Sequence, residues 1–429
     1  MMKVSFGKAL SGVLAATMLL TGFGACGKSS STPGVDTSSS GKQETTVSTA
    51  DAQKEEAASL VLWGSEDDQV MLKEMAEAFV GEHPTYTVEV RVQGEDKARE
   101  AALKDLEAAA DVFAIAHDQM GALVDAGAVY PNTLYADQLK GTVSDAAIAA
   151  ATYKGTVYGY PSAVETYFMF YNKGVFTEED VKSFDKMLEV AKNAGKTVGT
   201  DFGNNYFNMC FWFANGVKLF GSDGTDPNGS TVNGAEALAA AEYIAGLQDR
   251  GAQDITDGDA SAAFQNGTLA AMITGAWKAQ DYQAALGDNY GVVKLPTANI
   301  GGSEKQLVSF SGVKVYVVKS NTKYPEASMQ LAAFLTNEEN QLKRFKDRGF
   351  LPSNLTAAAD PSVTEDPTIA AQVAQFSFSI PQPSIPQMGS NFYSPSSMAV
   401  TKEIFNHTQT DLQAALDNWA GMLKSEIVE

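Results

Sequence analysis

Acidic side chains lie next to apolar runs of the chain, where they could act on a ligand. Glu66 and Asp67 directly follow one short apolar run, and Asp118 closely follows another. Glu165 interrupts a long aromatic run. In a sheet covered by helices, ligands collect beyond the carboxyl ends of the strands, so acids at strand ends are the first candidates for a site. Grouped carboxylates can bind a metal ion, a cationic ligand or sugar hydroxyls.

Two interpretations of Glu165 are open. It lies within 160–173, where Pro161 favours extended backbone and the following aromatic and β-branched residues favour a strand. Lone charges are usually solvated, so Glu165 could be the outward acid of an ordinary strand. The alternative is a strand that crosses a cleft and turns Glu165 toward a polar ligand.

Aromatic side chains beside polar ones form a second group of candidates. Tyr206 follows Asn204 and Asn205 at the expected start of a helix, which favours a surface position. The next aromatic residues, 211–213, are predicted to be core. Trp277 follows a strand and a glycine turn, where so large a ring indicates either packing or a ligand platform.

No metal site or cofactor is predicted. The three histidines, His83, His117 and His407, lack metal-ligand spacing. His117 is expected to orient Asp118 or the turn around it. The loop 221–230 lacks the closing glutamate of a calcium loop, so a solvated loop is expected.

Length and charge limit the function classes. A chain of 429 residues with a hydrophobic fraction of 44% favours two large globular domains. The formal charge of −21 argues against nucleic acid as a partner, because an acidic surface repels phosphates.

The N-terminus has the parts of a secretory signal. Two lysines precede the apolar run 9–20, and small residues follow it, so 1–25 is expected to be a signal peptide. Its removal takes away those two positive charges and changes the formal charge from −21 to −23. Gly24-Ala25-Cys26 resembles the lipobox of bacterial lipoproteins, whose cysteine carries a diacylglyceryl group; Phe23 stands where that family usually has leucine.

The segment 26–58 is predicted to be a lipidated, disordered tether. It is rich in Ser, Thr, Gly, Lys and Glu, and it cannot bury enough apolar surface to offset the entropy lost on ordering. Two or more acyl chains would hold the protein stably at a membrane. Cys210 lies in an apolar stretch and is expected to be a buried, inert thiol without a disulfide to Cys26.

The remainder is expected to be an α/β fold, because strands and helices alternate from residue 59 onward. Expected strands are 59–63, 87–92, 112–116, 160–173, 270–274, 291–296 and 308–318, and expected helices include 96–110, 178–194, 234–249, 258–265 and one from about 411. Gly312 inside a strand indicates a bend or a close approach. The segments 160–173, 308–318 and 349–352 are the expected crossings between two lobes.

The order of these parts resembles the extracellular sugar-binding lipoproteins of ABC importers, specifically the maltose and maltodextrin-binding group of solute-binding protein family 1. The resemblance covers nearly all of the chain from residue 59. The stretches that carry it are 60–63, 111–118, 163–165 running into 171–173, 272–277 and 385–388.

The resemblance implies a two-lobed periplasmic-binding-protein-like fold of type II, with three hinge crossings and sugar bound between the lobes. The implied N-terminal lobe is 59–163 with 311–352. The implied C-terminal lobe is 167–307 with 357–429.

The resemblance also implies a set of binding residues. Glu66 or Asp67, with Asp118 and Glu165, correspond to hydroxyl-binding carboxylates, and Lys97 is a basic candidate for a sugar hydroxyl. The implied stacking residues are Tyr206, Trp277 and Phe392, with Tyr393 as a further candidate. Ile115, Gln119, Asn204 and Phe392 stand where some maltose binders have tryptophan, arginine, glutamate and a larger indole.

The implied function is a non-catalytic, monomeric binding component that delivers maltose or maltodextrins to the transmembrane subunits of an ABC permease. It would be held at the outer face of the bacterial cell membrane by its lipid anchor only. A binder of another oligosaccharide, a glycoside hydrolase and a receptor that presents sugar to a signalling partner remain alternatives. A hydrolase also uses paired carboxylates, but the sequence does not identify an acid and a nucleophile as a pair.

Overall fold

The computed structural model describes residues 56–426. The predicted signal peptide, Cys26 and nearly all of the predicted tether lie outside these residues. The strands are β1 (Ala58–Gly64), β2 (Tyr86–Val92), β3 (Val112–Ala116), β4 (Val129–Tyr130), β5 (Thr152–Tyr153), β6 (Thr156–Val157), β7 (Tyr160–Asn172), β8 (Thr197–Thr200), β9 (Ala252–Asp254), β10 (Leu269–Gly275), β11 (Tyr290–Val293), β12 (Thr297–Ile300), β13 (Ser303–Gln306), β14 (Ser309–Lys319), β15 (Leu351–Pro352) and β16 (Ser379–Pro381).

The helices are α1 (Gln69–Glu82), α2 (Glu95–Lys104), α3 (Met120–Asp125), α4 (Asp145–Ala150), α5 (Phe184–Asn193), α6 (Asn205–Ala214), α7 (Ala235–Ala245), α8 (Asp257–Gln265), α9 (Ala279–Leu286), α10 (Pro325–Leu335), α11 (Glu338–Arg348), α12 (Leu355–Ala358), α13 (Pro361–Thr364), α14 (Pro367–Phe376), α15 (Pro395–Phe405) and α16 (Leu412–Lys424). A π-helical turn spans Met388–Phe392.

The main sheet has 12 strands, and its central path runs β2-β1-β3-β14-β7-β10-β8-β9. β1 pairs in parallel with β2 and β3, whereas β14 is antiparallel to β3 and β7. Two short hairpins, β5–β6 and β12–β13, stand apart from this sheet. The predicted α/β architecture is therefore confirmed.

One long strand, β7, runs through both halves of the sheet. The first part of β7 pairs with β14 and β15, and its residues from Tyr167 onward pair with β10 and β11. Where β7 changes from the first set of partner strands to the second, the buried Thr166 Oγ1 donates to the carbonyl of Phe310 at 2.6 Å. Because β7 is shared, residues 56–426 lie in one compact unit rather than in two separate ones.

Both faces of the sheet are covered by apolar side chains. Along β3, Val112 and Ala114 pack into one cluster, whereas Phe113 and Ile115 pack into another. Successive side chains of a strand point to opposite faces, so a strand buried on both sides reads as an unbroken apolar run. This pattern is why the strand predictions largely agree with the structure.

Two helix predictions were too long at interruptions that local capping creates. The helix predicted over 96–110 ends at Lys104, because Asp105 leaves helical geometry and its side chain accepts from the amide of Ala108 at 3.1 Å. The helix predicted over 178–194 is broken at Ser183, whose hydroxyl accepts from the amide of Lys186 and begins α5.

The core predictions for the second half of the chain are confirmed. Cys210 and Trp419 are fully buried, and so are the aromatic residues 211–213 to within a few per cent. Burial raises the pKa of the Cys210 thiol, which is consistent with an inert side chain. Among the helices of residues 56–426, none combines the length and the apolar character that crossing a membrane requires.

Candidate ligand-binding site

Short 3-10 turns follow three strands and position four of the ten predicted residues, Glu66, Asp67, Asp118 and Trp277. They span Glu66–Asp68 after β1, His117–Gln119 after β3 and Ala276–Lys278 after β10. Each turn lies at the carboxyl end of its strand, which is where ligands bind in open α/β sheets.

Asp118 is a buried carboxylate without a partner. Only 2% of the residue is exposed, and neither carboxylate oxygen has a hydrogen-bond partner among residues 56–426. Burial, reinforced by the charge of Glu165, raises the pKa of Asp118 to about 7. Buried carboxylates are normally hydrogen-bonded, so two open acceptors mark a place for a donor.

His117 fixes the backbone around the turn and makes no hydrogen bond to the Asp118 carboxylate. The Val313 amide donates to His117 Nδ1 at 3.2 Å, so the proton lies on Nε2, which donates to the carbonyl of Gln382 at 3.2 Å. Burial lowers the pKa of His117 to about 4, and the ring is neutral. Of the two roles expected for this histidine, the structure supports the turn.

Glu165 is not a solvated acid. It is 7% exposed, and its carboxylate lies 3.3 Å from the Nζ of Lys314 on β14. Lys314 also contacts Glu95 at the start of α2. Burial raises the pKa of Glu165, and the charge of Lys314 offsets part of that rise. Although burial disfavours charged Lys314, the carboxylates of Glu165 and Glu95 hold its pKa above the ordinary value.

Two tyrosine hydroxyls lie near these acids. The hydroxyl of Tyr206 has no hydrogen-bond partner within the described part of the chain, and the hydroxyl of Tyr393 accepts from Gln382 Nε2 at 3.3 Å. Burial raises the pKa of both tyrosines, and the charges of Glu165 and Asp118 raise it further. Both hydroxyls are therefore electrostatically coupled to both carboxylates.

An aromatic group borders the same region. The ring of Tyr206 stacks on Phe310 with centroids 6.0 Å apart and lies 6.3 Å from the ring of Trp277. Trp277 is half-buried, and its indole N–H donates to Asp257 at 2.7 Å. The indole is thus held by a hydrogen bond at one edge and by packing at the other.

Phe392 does not have the open face that the resemblance implied. It is fully buried in the core cluster, because the π-helical turn directs it edge-on against Phe310 and Tyr393. The neighbouring Tyr393 is only partly buried and contacts Gln382.

The remaining candidates lie apart from this group. Glu66 and Asp67 are exposed, and Asp67 pairs with Arg348 at 3.4 Å. Lys97 is exposed and lies 3.9 Å from Glu100. Such exposed ion pairs contribute little to the stability of the protein, because water and dissolved ions screen the charges.

Asn204 acts as a helix cap. Its side-chain oxygen accepts from the amide of Tyr206 at 3.0 Å and so begins α6. Asp68 is the buried acid of the first turn, and it bonds Arg348 Nε at 2.8 Å and Ser65 Oγ at 2.7 Å. The sequence analysis did not single out Asp68, although it directly follows two of its candidates.

Three further polar residues of this region, Arg99, Lys314 and Gln382, were not predicted from the sequence. Arg99 Nη2 of α2 donates to the carbonyl of Gly389 in the π-helical turn at 3.3 Å. Lys314 interrupts the apolar run of β14, and a charge inside a buried strand was an available signal. Gln382 has no local signal, since its contact with His117 joins residues 265 positions apart.

A separate cavity lies on the opposite face of β7. It has a volume of about 460 Å³, and its lining includes Val164, Leu351, Ile369 and Val373. Val164 precedes Glu165, and successive side chains of a strand point in opposite directions. The lining is mostly apolar, so the cavity suits a sugar poorly, and the candidate site remains the face that carries Glu165.

The group formed by Asp118, Glu165, Tyr206, Trp277 and Tyr393 combines hydrogen-bond acceptors with aromatic surface. Sugars present hydroxyl donors at their edges and C–H groups on their faces, and both find a complement here. Within residues 56–426, the chain has no group of three or more His, Cys, Asp or Glu residues suited to a metal ion.

Comparisons with known proteins agree with this geometry. Residues 74–371 match the family described as bacterial extracellular solute-binding protein. The galactooligosaccharide-binding protein of Bacillus subtilis is 28% identical over 394 residues, which are 86% of this chain and 89% of that protein. The maltooligosaccharide ABC transporter solute-binding lipoprotein of Streptococcus pneumoniae is 28% identical over 293 residues, or 65% of this chain and 68% of that protein.

The fold has a solved counterpart. The maltodextrin binding protein MalE1 from L. casei BL23, solved without ligand, has a TM-score of 0.75 and 26% sequence identity, covering 86% of this chain and 100% of that one. The predicted two-lobed type II fold is therefore confirmed. The chain belongs to the family of bacterial extracellular solute-binding proteins.

Proposed function

We propose that this protein binds maltodextrin-type oligosaccharides between its lobes and delivers them to an ABC permease without cleaving them. The observation that carries the proposal is Asp118, a buried carboxylate whose two oxygens have no hydrogen-bond partner among residues 56–426 and whose charge affects the pKa of Tyr206. Sugar hydroxyls are donors of the kind this group lacks. The names of the maltooligosaccharide and maltodextrin relatives support the choice of substrate.

Closure of the lobes supplies the transport signal in this proposal. A sugar that touches both lobes favours the closed form in proportion to its differential affinity for that form. Arg99 and Gly389 already join the first lobe to the π-helical turn, and they would act together with the sugar.

A galacto-oligosaccharide is a second candidate ligand. The relative from Bacillus subtilis is named for that sugar and matches a larger share of this chain than the maltooligosaccharide protein does. Its hydroxyl groups would use the same acceptors with a different arrangement around the ring.

The location is also part of the proposal. Processing before Cys26 and its lipidation would hold the protein as a monomer at the outer face of the cell membrane. The pneumococcal relative is named a lipoprotein, which supports this anchor.

The test is calorimetric titration of the purified protein with glucose, maltose, maltotriose, longer maltodextrins and β-linked galacto-oligosaccharides. One-to-one binding of a maltodextrin, with the sugar recovered intact after long incubation, is the expected result. If only galacto-oligosaccharides bind, they replace maltodextrins as the proposed ligand. If cleavage products appear, the protein is a hydrolase and not a transport component. Absence of binding across the panel would overturn the proposal.

Replacing Trp277 tests the aromatic surface. Trp277→Ala is expected to weaken oligosaccharide binding by about 1–3 kcal/mol, the range seen for aromatic stacking platforms. Trp277→Phe is the control, because it keeps an aromatic face and loses only the bond to Asp257. Equal affinities of wild type and Trp277→Ala in the same titration would remove Trp277 from the site.

A further inference from the structure

We propose that Gln382 is a ligand-binding residue whose side-chain carbonyl accepts a hydrogen bond from a hydroxyl of the bound oligosaccharide. This inference rests on the proposed function and adds a specificity-determining contact to the same site. Gln382 lies between β16 and the π-helical turn, outside the group of residues that the sequence resemblance implied.

The backbone of Gln382 is held in place from two sides. Its amide donates to the carbonyl of Ser311 on β14 at 3.0 Å, and its carbonyl accepts from His117 at 3.2 Å. His117 belongs to the turn that carries Asp118. The residue is therefore tied to the crossing strand and to the turn of the buried carboxylate.

The side chain of Gln382 is buried, and only one of its two polar atoms has a hydrogen-bond partner among residues 56–426. The residue is 5% exposed, and Nε2 donates to the hydroxyl of Tyr393 at 3.3 Å. Oε1 has no partner anywhere in the described chain. A buried amide oxygen left unpaired costs free energy, which a donor on a ligand would recover.

Gly312 shows where that oxygen points. Gly312 pairs with Glu165 across the two crossing strands. A Cβ built on Gly312 would collide with Oε1 of Gln382 and would lie 3.5 Å from Oε1 of Glu165. The two oxygens therefore flank the same glycine, and the amide oxygen of Gln382 belongs to the acceptor group of Asp118 and Glu165.

An unpaired oxygen alone does not make a binding residue, and Gln372 provides the comparison. Gln372 is also fully buried, its Nε2 donates to the carbonyl of Val164 at 3.1 Å, and its Oε1 likewise has no partner among the described residues. It differs in position: it bonds the backbone of Val164, whose side chain points to the face of β7 opposite that of Glu165. Of these two glutamines, Gln382 is the one whose free oxygen flanks Gly312 together with Glu165.

The experiment compares Gln382→Met with Gln372→Met by titration of the full-length protein with maltotriose. Each substitution keeps the side-chain length and removes one unpaired oxygen and one Nε2 hydrogen bond, so thermal unfolding should shift by similar amounts. Gln382→Met is expected to raise the Kd about tenfold, and Gln372→Met is expected to leave it within about twofold.

Monodeoxy analogues of maltotriose separate direct contact from a structural effect. In wild type, one deoxy position should weaken binding about as much as Gln382→Met does, and in Gln382→Met that same deoxy position should cause little additional loss. Wild-type affinity in Gln382→Met, or additive losses at every deoxy position, would overturn the inference while leaving the proposed function intact. If wild type itself binds no oligosaccharide of the wider panel, both fail together.

Discussion

At the scale of single residues, Asp118 is expected to make ligand binding depend on pH. Its pKa is about 7 in the folded protein against an ordinary value of 3.8. Between those values the folded protein holds a proton that the unfolded chain has lost, so Asp118 lowers the free energy of unfolding as pH rises through this window. Glu165 shares the direction of the pKa shift, whereas the pKa of His117 is shifted down to about 4.

Oligosaccharide affinity is therefore expected to rise with pH up to about 7 and then level off. Sugar hydroxyls donate to the ionised carboxylate, so binding releases the proton from Asp118 and is opposed at low pH. The loss below pH 7 should approach about tenfold per pH unit. Calorimetric titrations between pH 5 and 8, in buffers of different ionisation enthalpy, measure both the affinity and the released proton.

Asp118→Asn is the control for this prediction. The amide cannot ionise, so its affinity should be lower at pH 8 and should depend less on pH. The unliganded variant should also be more stable than wild type at pH 8, because it no longer buries a carboxylate without a partner. Parallel pH profiles for wild type and variant would contradict the assignment.

Local chemistry found some site residues and not others. Asp118 and Trp277 were predictable because each directly follows a strand at the edge where ligands bind. Gln382 was not predictable, because its place depends on contacts with Ser311 and His117 that lie far apart in the sequence. Phe392 and Tyr393 were indistinguishable in sequence, since a π-helical turn decides which ring enters the core.

At the scale of elements, the contact between α2 and the π-helical turn joins the lobes. Arg99 reaches the carbonyl of Gly389, and a Cβ on Gly389 would overlap the guanidinium. The glycine therefore allows α2 to approach this turn. The bond exists only when the two elements are adjacent, so it favours the closed arrangement.

Arg99→Ala is expected to weaken oligosaccharide binding about threefold, in line with the loss of one hydrogen bond. Small-angle scattering of the unliganded variant should show a larger radius of gyration, because the open form gains population. Arg91→Ala is the matched control, since Arg91 pairs with Glu89 on the exposed surface. Unchanged scattering and affinity in Arg99→Ala would exclude a role in closure.

Element boundaries illustrate what pattern alone misses. The apolar runs of β3 and β7 were predictable because burial on both faces removes polar residues from them. The ends of α2 and α5 were not, because the side chains of Asp105 and Ser183 compete locally for backbone amides.

At the scale of the whole molecule, the two lobes share structure instead of meeting as separate bodies. β7 pairs within both halves of the sheet, and Thr166 ties it to β14 at the changeover. Unfolding one half of the sheet would remove hydrogen-bond partners from strands of the other half. The expected lobe boundaries at 163 and 167 therefore fall inside a continuous strand.

Thermal unfolding is accordingly expected to give one cooperative calorimetric transition. Saturating maltotriose should raise its midpoint as a whole, by an amount set by the ratio of ligand concentration to Kd. Differential scanning calorimetry with and without the sugar makes this measurement. Two resolved transitions, with only one displaced by the sugar, would show that the lobes unfold independently.

The buried ion group of Lys314, Glu95 and Glu165 affects how the protein responds to salt in its surroundings. Its side chains are between 9% and 18% exposed, whereas the surface pair of Lys97 and Glu100 is about 70% exposed. Dissolved ions weaken exposed pairs over about 8 Å at physiological strength but reach buried ones far less. A protein that works outside the cytoplasm meets whatever salinity its surroundings impose. Because the charges of this group lie inside the protein, we expect sugar binding to change little between low and high salt concentration.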